Sequence, residues 1–275
     1  MHFLSILLIY SGFFAIQTIN GLSWNDTYPK GQVIRVGDLN VYSVGQNTKN
    51  FAVIVLYDIR GFNISQTRVF CDRLASEYSI RVVMPDVFRD TAAPSTGNFQ
   101  PWLASVGNWS IISNDLTNIA NWLRINQSIN QIGLIGFCWG GLQVVRACSN
   151  LSSLFSTGVS IHGSSITVSE VSLLQKPMFF IAASGDPALH PNISGAIERA
   201  NFNISKQCEY KTYLNVPHGF AAAGANYSSP DNVAAIDDVH VNVRNYFTKI
   251  LNNIAPSCSL NLSLLVFVFL LLIFL

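Results

Sequence analysis

The clearest sign of chemistry in the sequence is Cys138, which lies within the glycine-framed segment GFCWGG at residues 136–141. An apolar run precedes this segment and a run with helical spacing follows it. The pattern therefore predicts a tight strand-to-helix turn that presents a nucleophile. Such a turn is crowded, so the residues two before and two after the nucleophile must lack bulk. A helix N-terminus would also favour the thiolate. The alternative is an ordinary buried cysteine beside a glycine-rich strand end.

An acid and a base follow Cys138 in the order that a catalytic triad of this type requires. Asp186 directly follows the apolar run PMFFIAASG, and His218 follows a strand-like segment. In this arrangement the histidine takes the proton of the thiol, and the acid orients the histidine ring. His162 ends another strand-like run, so it is a candidate thiol-modulating or substrate-binding residue, with a structural role as the alternative. His240 is expected on the solvent-facing side of the last helix.

The segments that must position these residues alternate between strand and helix patterns. Strands are predicted at 51–57, 81–87, 131–137, 157–163, 177–184 and 209–216. Helices are predicted at 65–79, 111–125, 141–149, 191–202 and 236–250. Continuous apolar runs are typical of strands that are buried on both faces. This order predicts an α/β fold with a mostly parallel sheet and helices on both faces, and with reactive groups at the carboxyl edge of the strands.

Several motifs together resemble one enzyme family. They are GFCWGG, SGDP and HGF, with VLYDIRGFN at 55–63 and CDRLASEYSIRVVMPDVFR at 71–89 upstream. In residue types and spacing they are similar to the dienelactone hydrolase (carboxymethylenebutenolidase) family. The resemblance covers roughly residues 30–250. It implies an α/β-hydrolase fold and a small-molecule ester or lactone substrate.

The resemblance also implies roles for individual residues. Cys138 is the nucleophile, Asp186 the acid and His218 the base. The backbone N–H groups of Ile59 and Trp139 correspond to the oxyanion hole, in agreement with the general rule for such turns. The resemblance implies no cofactor. No CxxC spacing is present, so we expect no metal.

Two charged residues bear on the substrate and the thiol. Asp58 matches an acidic residue that lies near the thiol in the family, where a carboxylate would disfavour the thiolate; a turn-forming role is an equal alternative. Family members that act on lactone carboxylates carry an arginine shortly after the catalytic histidine, where this chain has Ala222 and Ala223. Arg89 is a candidate for one cationic substrate contact, or a surface residue. We therefore expect a neutral ester, lactone or thioester rather than dienelactone itself.

Both ends of the chain have the patterns of targeting signals. Residues 1–22 form an apolar stretch that ends near small residues, which is typical of a signal peptide; a buried strand or a membrane anchor is the alternative. Residues 254–275 join a short polar stretch to the apolar run LLVFVFLLLIFL, which is typical of a removed GPI-attachment signal; a short membrane span is the alternative. These patterns predict a mature domain at 23–253, held on the extracellular face of the plasma membrane by a lipid anchor, or secreted.

Composition and glycosylation motifs agree with that location. N-x-S/T sequons occur at Asn25, Asn63, Asn108, Asn126, Asn150, Asn192, Asn203, Asn226 and Asn261. The net charge is only +1 and there is no Lys/Arg cluster, so we expect no nucleic-acid partner. Cys71, Cys148 and Cys208 allow at most one disulfide among themselves. The sequence thus favours a surface hydrolase, with a non-catalytic adhesion or ligand-binding protein on the same scaffold as the alternative.

Overall fold

The computed structural model describes residues 29–254. The predicted signal peptide, and all of the predicted GPI-attachment signal beyond residue 254, lie outside the described residues. The strands are β1 Gln32–Val36, β2 Leu39–Val44, β3 Phe51–Leu56, β4 Arg81–Pro85, β5 Gln131–Phe137, β6 Thr157–Ile161, β7 Met178–Ser184 and β8 Glu209–Pro217. The helices are α1 Ser65–Tyr78, α2 Gln100–Val106, α3 Trp109–Asn126, α4 Trp139–Asn150, α5 Val168–Val171, α6 Ser194–Ala200, α7 Phe202–Ser205 and α8 Pro230–Ile254, with a π-helical turn at Leu189–Ile193.

All eight strands form one sheet in the order β1-β2-β4-β3-β5-β6-β7-β8. Strands β3 to β8 are parallel, whereas β2 pairs antiparallel with both β1 and β4. The predicted mostly parallel sheet is confirmed. The chain moves one way along the sheet from β3 to β4, and the opposite way from β4 to β5 and β6. Because parallel crossovers are right-handed, α1 lies on one face of the sheet, and α3 and α4 lie on the other.

Burial explains why the interior elements were predictable. All six residues of β3, with the sequence FAVIVL, are buried, as a strand covered by helices on both faces requires. Four apolar residues of α3 recur at helical spacing and are buried; they are Ile112, Leu116, Ile119 and Leu123. The β1–β2 hairpin was not predicted, because the outer strand β1 is mostly exposed and has no continuous apolar run.

The predicted helix at 191–202 is broken into shorter pieces. His190 has φ −113° and ψ 142°, because a residue before proline is driven away from helical geometry. Asn201 has φ −151° and separates α6 from α7, and its side chain accepts a hydrogen bond from the N–H of Ile204. This side chain therefore caps the start of α7. Between residues 29 and 254, no helix is both long and apolar enough to cross a membrane.

The expectation that His240 faces solvent was wrong. Helix α8 packs against α1, and only 1% of His240 is exposed. Its ring centroid lies 4.2 Å from that of Phe70, and its carbonyl accepts a hydrogen bond from the hydroxyl of Tyr78. The apolar positions of α8 indicated its inner face, but the contact with α1 covers a wider part of the helix than those positions showed.

Candidate active site

Cys138 lies in the turn between β5 and α4 with φ 51° and ψ −113°, a strained conformation for a residue other than glycine. A Cβ atom on Gly136 would lie 2.2 Å from the carbonyl oxygen of Gly140. A Cβ atom on Gly140 would lie 2.3 Å from the carbonyl oxygen of Leu56. Any side chain at Gly136 or Gly140 would therefore clash with the backbone, so both positions require glycine. The backbone N–H of Cys138 donates to the carbonyl of Ile161 at 3.2 Å, which ties the turn to β6.

His218 and Asp186 form a close pair after β8 and β7. Nδ1 of His218 lies 2.7 Å from Oδ1 of Asp186, and Oδ2 of Asp186 accepts the N–H of Ala183 at 2.7 Å. The carboxylate therefore favours the tautomer with the proton on Nδ1, which leaves Nε2 to act as a base.

The pKa values of this pair shift in opposite directions. The hydrogen bond with Asp186, and then that with Cys138, raise the pKa of His218 to about 10 against the opposing effect of burial. Burial by itself raises the pKa of Asp186, but the hydrogen bonds from His218 and Ala183 outweigh it, so this pKa lies below its usual value. The pair therefore stabilises a positive imidazolium beside the thiol.

The three residues predicted to form the triad meet at the carboxyl edge of the sheet. Cys138 and His218 line one cavity of about 330 Å³, called here the thiol cavity. Its walls are formed by Asp58, Ile59, Arg60, Cys138, His218, Gly219, Ala223 and Gly224. Asp186 does not line this cavity and is connected to it by its hydrogen bond with His218.

Asp58 links two walls of the thiol cavity. Its Oδ1 accepts the N–H of Arg60 at 2.8 Å, which closes a turn after β3. Its Oδ2 accepts the N–H of Ala223 at 3.2 Å, in the loop that follows His218. Burial raises the pKa of the Asp58 carboxyl. The turn-forming role is thus visible in the structure, and the effect of Asp58 on the thiol stays a prediction.

Ile59 and Trp139 are the predicted oxyanion-hole residues. Ile59 lines the thiol cavity in the turn that follows β3. Trp139 is the first residue of α4, where backbone N–H groups have no acceptor within the helix. Its ring is buried against Phe88, with the centroids 4.6 Å apart. Their role as oxyanion donors fits this placement and stays a prediction.

Arg89 is not brought into the thiol cavity. Its guanidinium donates two hydrogen bonds of 3.0 Å to Asp115 and lies 3.5 Å from Asp38. The charge is thus committed to carboxylates away from the thiol. Arg60 is the cation that lines the cavity, and it has no ion-pair partner within residues 29–254. Arg60 was not among the candidate residues predicted from the sequence, although its position next to Ile59 was a usable signal.

His162 lies behind His218 and is not among the residues that line the thiol cavity. It is fully buried with φ 41°, and neither ring nitrogen has a hydrogen-bond partner within the described chain. Its ring centroid lies 4.9 Å from that of His218. Burial, and then the proximity of His218, lower the pKa of His162 to about 3, so its ring is neutral at physiological pH. The structure thus places His162 in contact with the base, and its functional role stays a prediction.

Ser164 contacts the predicted nucleophile, Cys138, and was missed in the sequence. Its hydroxyl oxygen lies 3.4 Å from Sγ of Cys138. It belongs to the segment HGSS at the end of β6. The only available signal was that this segment follows a strand whose carboxyl end borders the active-site edge of the sheet.

The remaining predicted modification sites lie on the surface. Seven sequon asparagines fall within the described residues and all are exposed: Asn63, Asn108, Asn126, Asn150, Asn192, Asn203 and Asn226. Asn25 and Asn261 lie outside that range. Within it, Cys71, Cys148 and Cys208 are free thiols. Residues 29–254 contain no cluster of three His, Cys, Asp or Glu side chains that could hold a metal ion.

A comparison of sequences establishes the family. The sequence model of the dienelactone hydrolase family matches residues 39–251. The chain belongs to the dienelactone hydrolase family. It is 27% identical over 211 residues to the carboxymethylenebutenolidase homologue of Homo sapiens, covering 72% of this chain and 82% of that relative. It is 26% identical over 215 residues to hydrolase tropI of Talaromyces stipitatus, covering 71% of this chain and 81% of that protein.

Solved structures agree on the fold. A dienelactone hydrolase of Anabaena variabilis superposes with a TM-score of 0.53 at 14% identity, covering 80% of this chain and 96% of that structure. An esterase of Pyrococcus furiosus superposes with a TM-score of 0.58 at 14% identity, covering 80% of this chain and 91% of that structure. The predicted α/β-hydrolase fold and family are therefore confirmed, and the protein is a hydrolase of the dienelactone hydrolase type.

Proposed function

We propose that this dienelactone hydrolase family member cleaves a small ester, lactone or thioester through a triad of Cys138, His218 and Asp186. The observation that carries the proposal is the 2.7 Å contact between His218 and Asp186, made by a histidine that shares the thiol cavity with Cys138. A base that is oriented by an acid and lies beside a strained nucleophile is the arrangement that acyl transfer requires. A cavity of about 330 Å³ suits a small substrate.

The proposed reaction has two stages. Nε2 of His218 takes the thiol proton, and the thiolate of Cys138 attacks the substrate carbonyl. The backbone N–H groups of Ile59 and Trp139 donate to the oxygen that becomes negative. The tetrahedral intermediate collapses, and His218 returns the proton to the leaving alcohol or thiol. His218 then removes a proton from water, which attacks the thioester, and it returns that proton to the departing thiolate as the acid and free Cys138 are released.

We also propose that the enzyme acts outside the cell, attached by a GPI anchor. The apolar patterns at 1–22 and 254–275 support this location, and so does the exposure of all seven described sequon asparagines. The proposed substrate is neutral, because alanines replace the arginine that the family carries after the catalytic histidine in members that act on lactone carboxylates.

The catalytic proposal is tested with the full chain expressed in animal cells. Aryl esters, lactones and aryl thioesters are offered to the wild type and to Cys138→Ala, with Cys208→Ala as a cysteine control. We expect turnover that is lost only in Cys138→Ala. Equal turnover in the wild type and Cys138→Ala would exclude this nucleophile. If folded wild type cleaves none of the three classes, the adhesion or ligand-binding alternative is favoured.

The location is tested on the same cells. Phosphatidylinositol-specific phospholipase C cleaves GPI anchors, so we expect it to release the protein from the cell surface into the medium. Protein that stays on the cells would contradict the lipid anchor and favour a short membrane span. Protein that is found in the medium before treatment would show simple secretion.

A further inference from the structure

The thiol of Cys138 has a polar neighbour that belongs to neither the acid nor the base. Sγ lies 3.4 Å from the hydroxyl oxygen of Ser164, with the thiol as donor. The N–H of Ser164 also donates to the carbonyl of Cys138 at 3.0 Å, and the N–H of Cys138 donates to Ile161 at 3.2 Å. The segment after β6 therefore holds the nucleophile by two backbone hydrogen bonds and one side-chain hydrogen bond.

The hydroxyl of Ser164 is free to reverse this hydrogen bond. Within residues 29–254 it has no side-chain or backbone partner other than the thiol. A serine hydroxyl carries one donor and two acceptor lone pairs, and its hydrogen can rotate. It can therefore accept from a neutral thiol and donate to a thiolate at the same position. A hydrogen bond donated to the charged form of a group favours that form.

We propose that Ser164 is a further catalytic residue, whose hydroxyl stabilises the thiolate of Cys138. In the structure it accepts the S–H of Cys138. When the thiol proton moves to Nε2 of His218, Ser164 keeps its own proton and donates it in a hydrogen bond to Sγ. The inference rests on the proposed function of Cys138, and it assigns to Ser164 a contact with the reacting atom.

The position of the carboxylate in the cavity shows why a second donor matters. Asp58 lines the thiol cavity, where an ionised carboxylate would disfavour negative charge on the thiol, whereas an imidazolium at His218 would favour it. The thiolate forms twice in each cycle, before attack and again when the thioester breaks down. A donor on Sγ would therefore assist both acylation and deacylation.

The test compares thiol reactivity across pH in the full-length protein. Alkylation of Cys138 by iodoacetamide is followed by mass spectrometry of the modified peptide, for the wild type, Ser164→Ala and Ser164→Thr. Ser165→Ala is the control, because Ser165 is the exposed neighbour and has no contact with the thiol. The alanine variant keeps the backbone N–H that bonds to Cys138, so it removes only the hydroxyl.

We expect Ser164→Ala to move the alkylation midpoint up by about one pH unit and to lower kcat/KM at neutral pH about tenfold. Ser164→Thr should retain the wild-type profile, and Ser165→Ala should change nothing. A purely structural role would lower stability without moving the midpoint. An unchanged midpoint in folded Ser164→Ala would overturn the proposal.

Two features keep the test decisive. If the alanine variant does not fold, the isosteric pair Ser164→Thr and Ser164→Val replaces it, since only the threonine carries a hydroxyl. Alkylation also needs no substrate. A shifted midpoint with no ester turnover would therefore support Ser164 while the proposed hydrolysis failed. Turnover that is intact together with an unshifted midpoint would sustain the hydrolase and remove Ser164 from it.

Discussion

Two histidine–carboxylate pairs lie in different regions of this molecule and have opposite properties. At the carboxyl edge of the sheet, His218 lies 2.7 Å from Asp186, and 41% of its side chain is exposed. Between α1 and α8, His240 lies 3.5 Å from Glu77, and 1% of its side chain is exposed. The pKa of His218 is raised to about 10 by its hydrogen bonds with Asp186 and then Cys138. Burial, and then the proximity of Arg73, lower the pKa of His240 well below its usual value.

The difference shows that residue types alone do not make a base. Among residues 29–254, Asp186 has no ion-pair partner other than His218. Glu77 is already engaged by Arg73 at 3.0 Å, and Arg73 also pairs with Asp237 at 2.8 Å. The charged side chains at the α1–α8 contact are therefore paired with one another in a buried network. At the strand ends, by contrast, His218 can still exchange a proton.

The comparison is tested most strongly by replacing each histidine with glutamine. His218→Gln removes the proposed base and should lower kcat about 10³-fold. His240→Gln should keep kcat within a factor of about two, because it lies away from the thiol cavity, and should lower the melting temperature. Steady-state kinetics and thermal unfolding measure both effects. Similar kinetic losses in the two variants would contradict the assignment of separate roles.

The buried network should show a large effect on stability alone. Arg73→Met leaves Glu77 and Asp237 without their cation, and the Arg73 side chain is only 3% exposed. We expect a loss of about 3 kcal/mol in the free energy of unfolding, with unchanged kcat. The control is Arg146→Met, which breaks a more exposed pair with Glu170 and should cost below about 1 kcal/mol. Urea titration measures both effects. An equal loss of unfolding free energy in the two variants would contradict a special contribution of the buried network.

The buried histidines also predict a pH dependence of stability. The pKa of His240 in the folded protein lies below the value of about 6.5 expected in the unfolded chain. As pH falls below about 6.5, the unfolded chain binds a proton that the folded protein does not, so stability decreases by about 1.4 kcal/mol per pH unit for this group. The pKa of His162, lowered to about 3, acts in the same direction. The raised pKa of His218 acts oppositely, because its contribution is present below pH 6.5 and is lost as pH rises through about 10.

His240→Phe measures this contribution. Phenylalanine can keep the ring contact with Phe70 but cannot titrate. Urea unfolding at pH 7, 6 and 5 should therefore show that the free energy of unfolding falls less steeply with decreasing pH in the variant than in the wild type. The difference in slope should correspond to the binding of one proton. Parallel curves for the two proteins would mean that His240 does not titrate differently in the folded and unfolded states.

Sequence patterns predicted what depends on neighbouring residues along the chain. The glycines around Cys138, the apolar run of β3 and the order of Cys138, Asp186 and His218 along the chain could all be recognised in the sequence. The missed features depend on contacts between distant segments. Ser164 contacts the thiol of Cys138, which is 26 positions away in the sequence. His240 is buried against α1, and the spacing of apolar residues in α8 does not reveal that contact. The sequence could not decide whether Arg89 contacts substrate or lies on the surface for the same reason, because its partner Asp115 lies on another element.

The smallest effect concerns the charge at the mouth of the thiol cavity. Arg60 lines this cavity without an ion-pair partner in the described chain, whereas the charge of Arg89 is held by Asp115. An exposed cation contributes little, so Arg60→Gln should lower kcat/KM for a carboxylate-bearing aryl acetate only about threefold relative to its neutral analogue. Arg89→Gln should leave that ratio unchanged. Raising the salt concentration should lower the wild-type ratio of kcat/KM for the charged ester to kcat/KM for its neutral analogue, since screening weakens exposed charge pairs. If Arg60→Gln leaves the ratio of the two kcat/KM values and its salt dependence as in the wild type, the guanidinium does not contact the substrate. That result would agree with a neutral substrate.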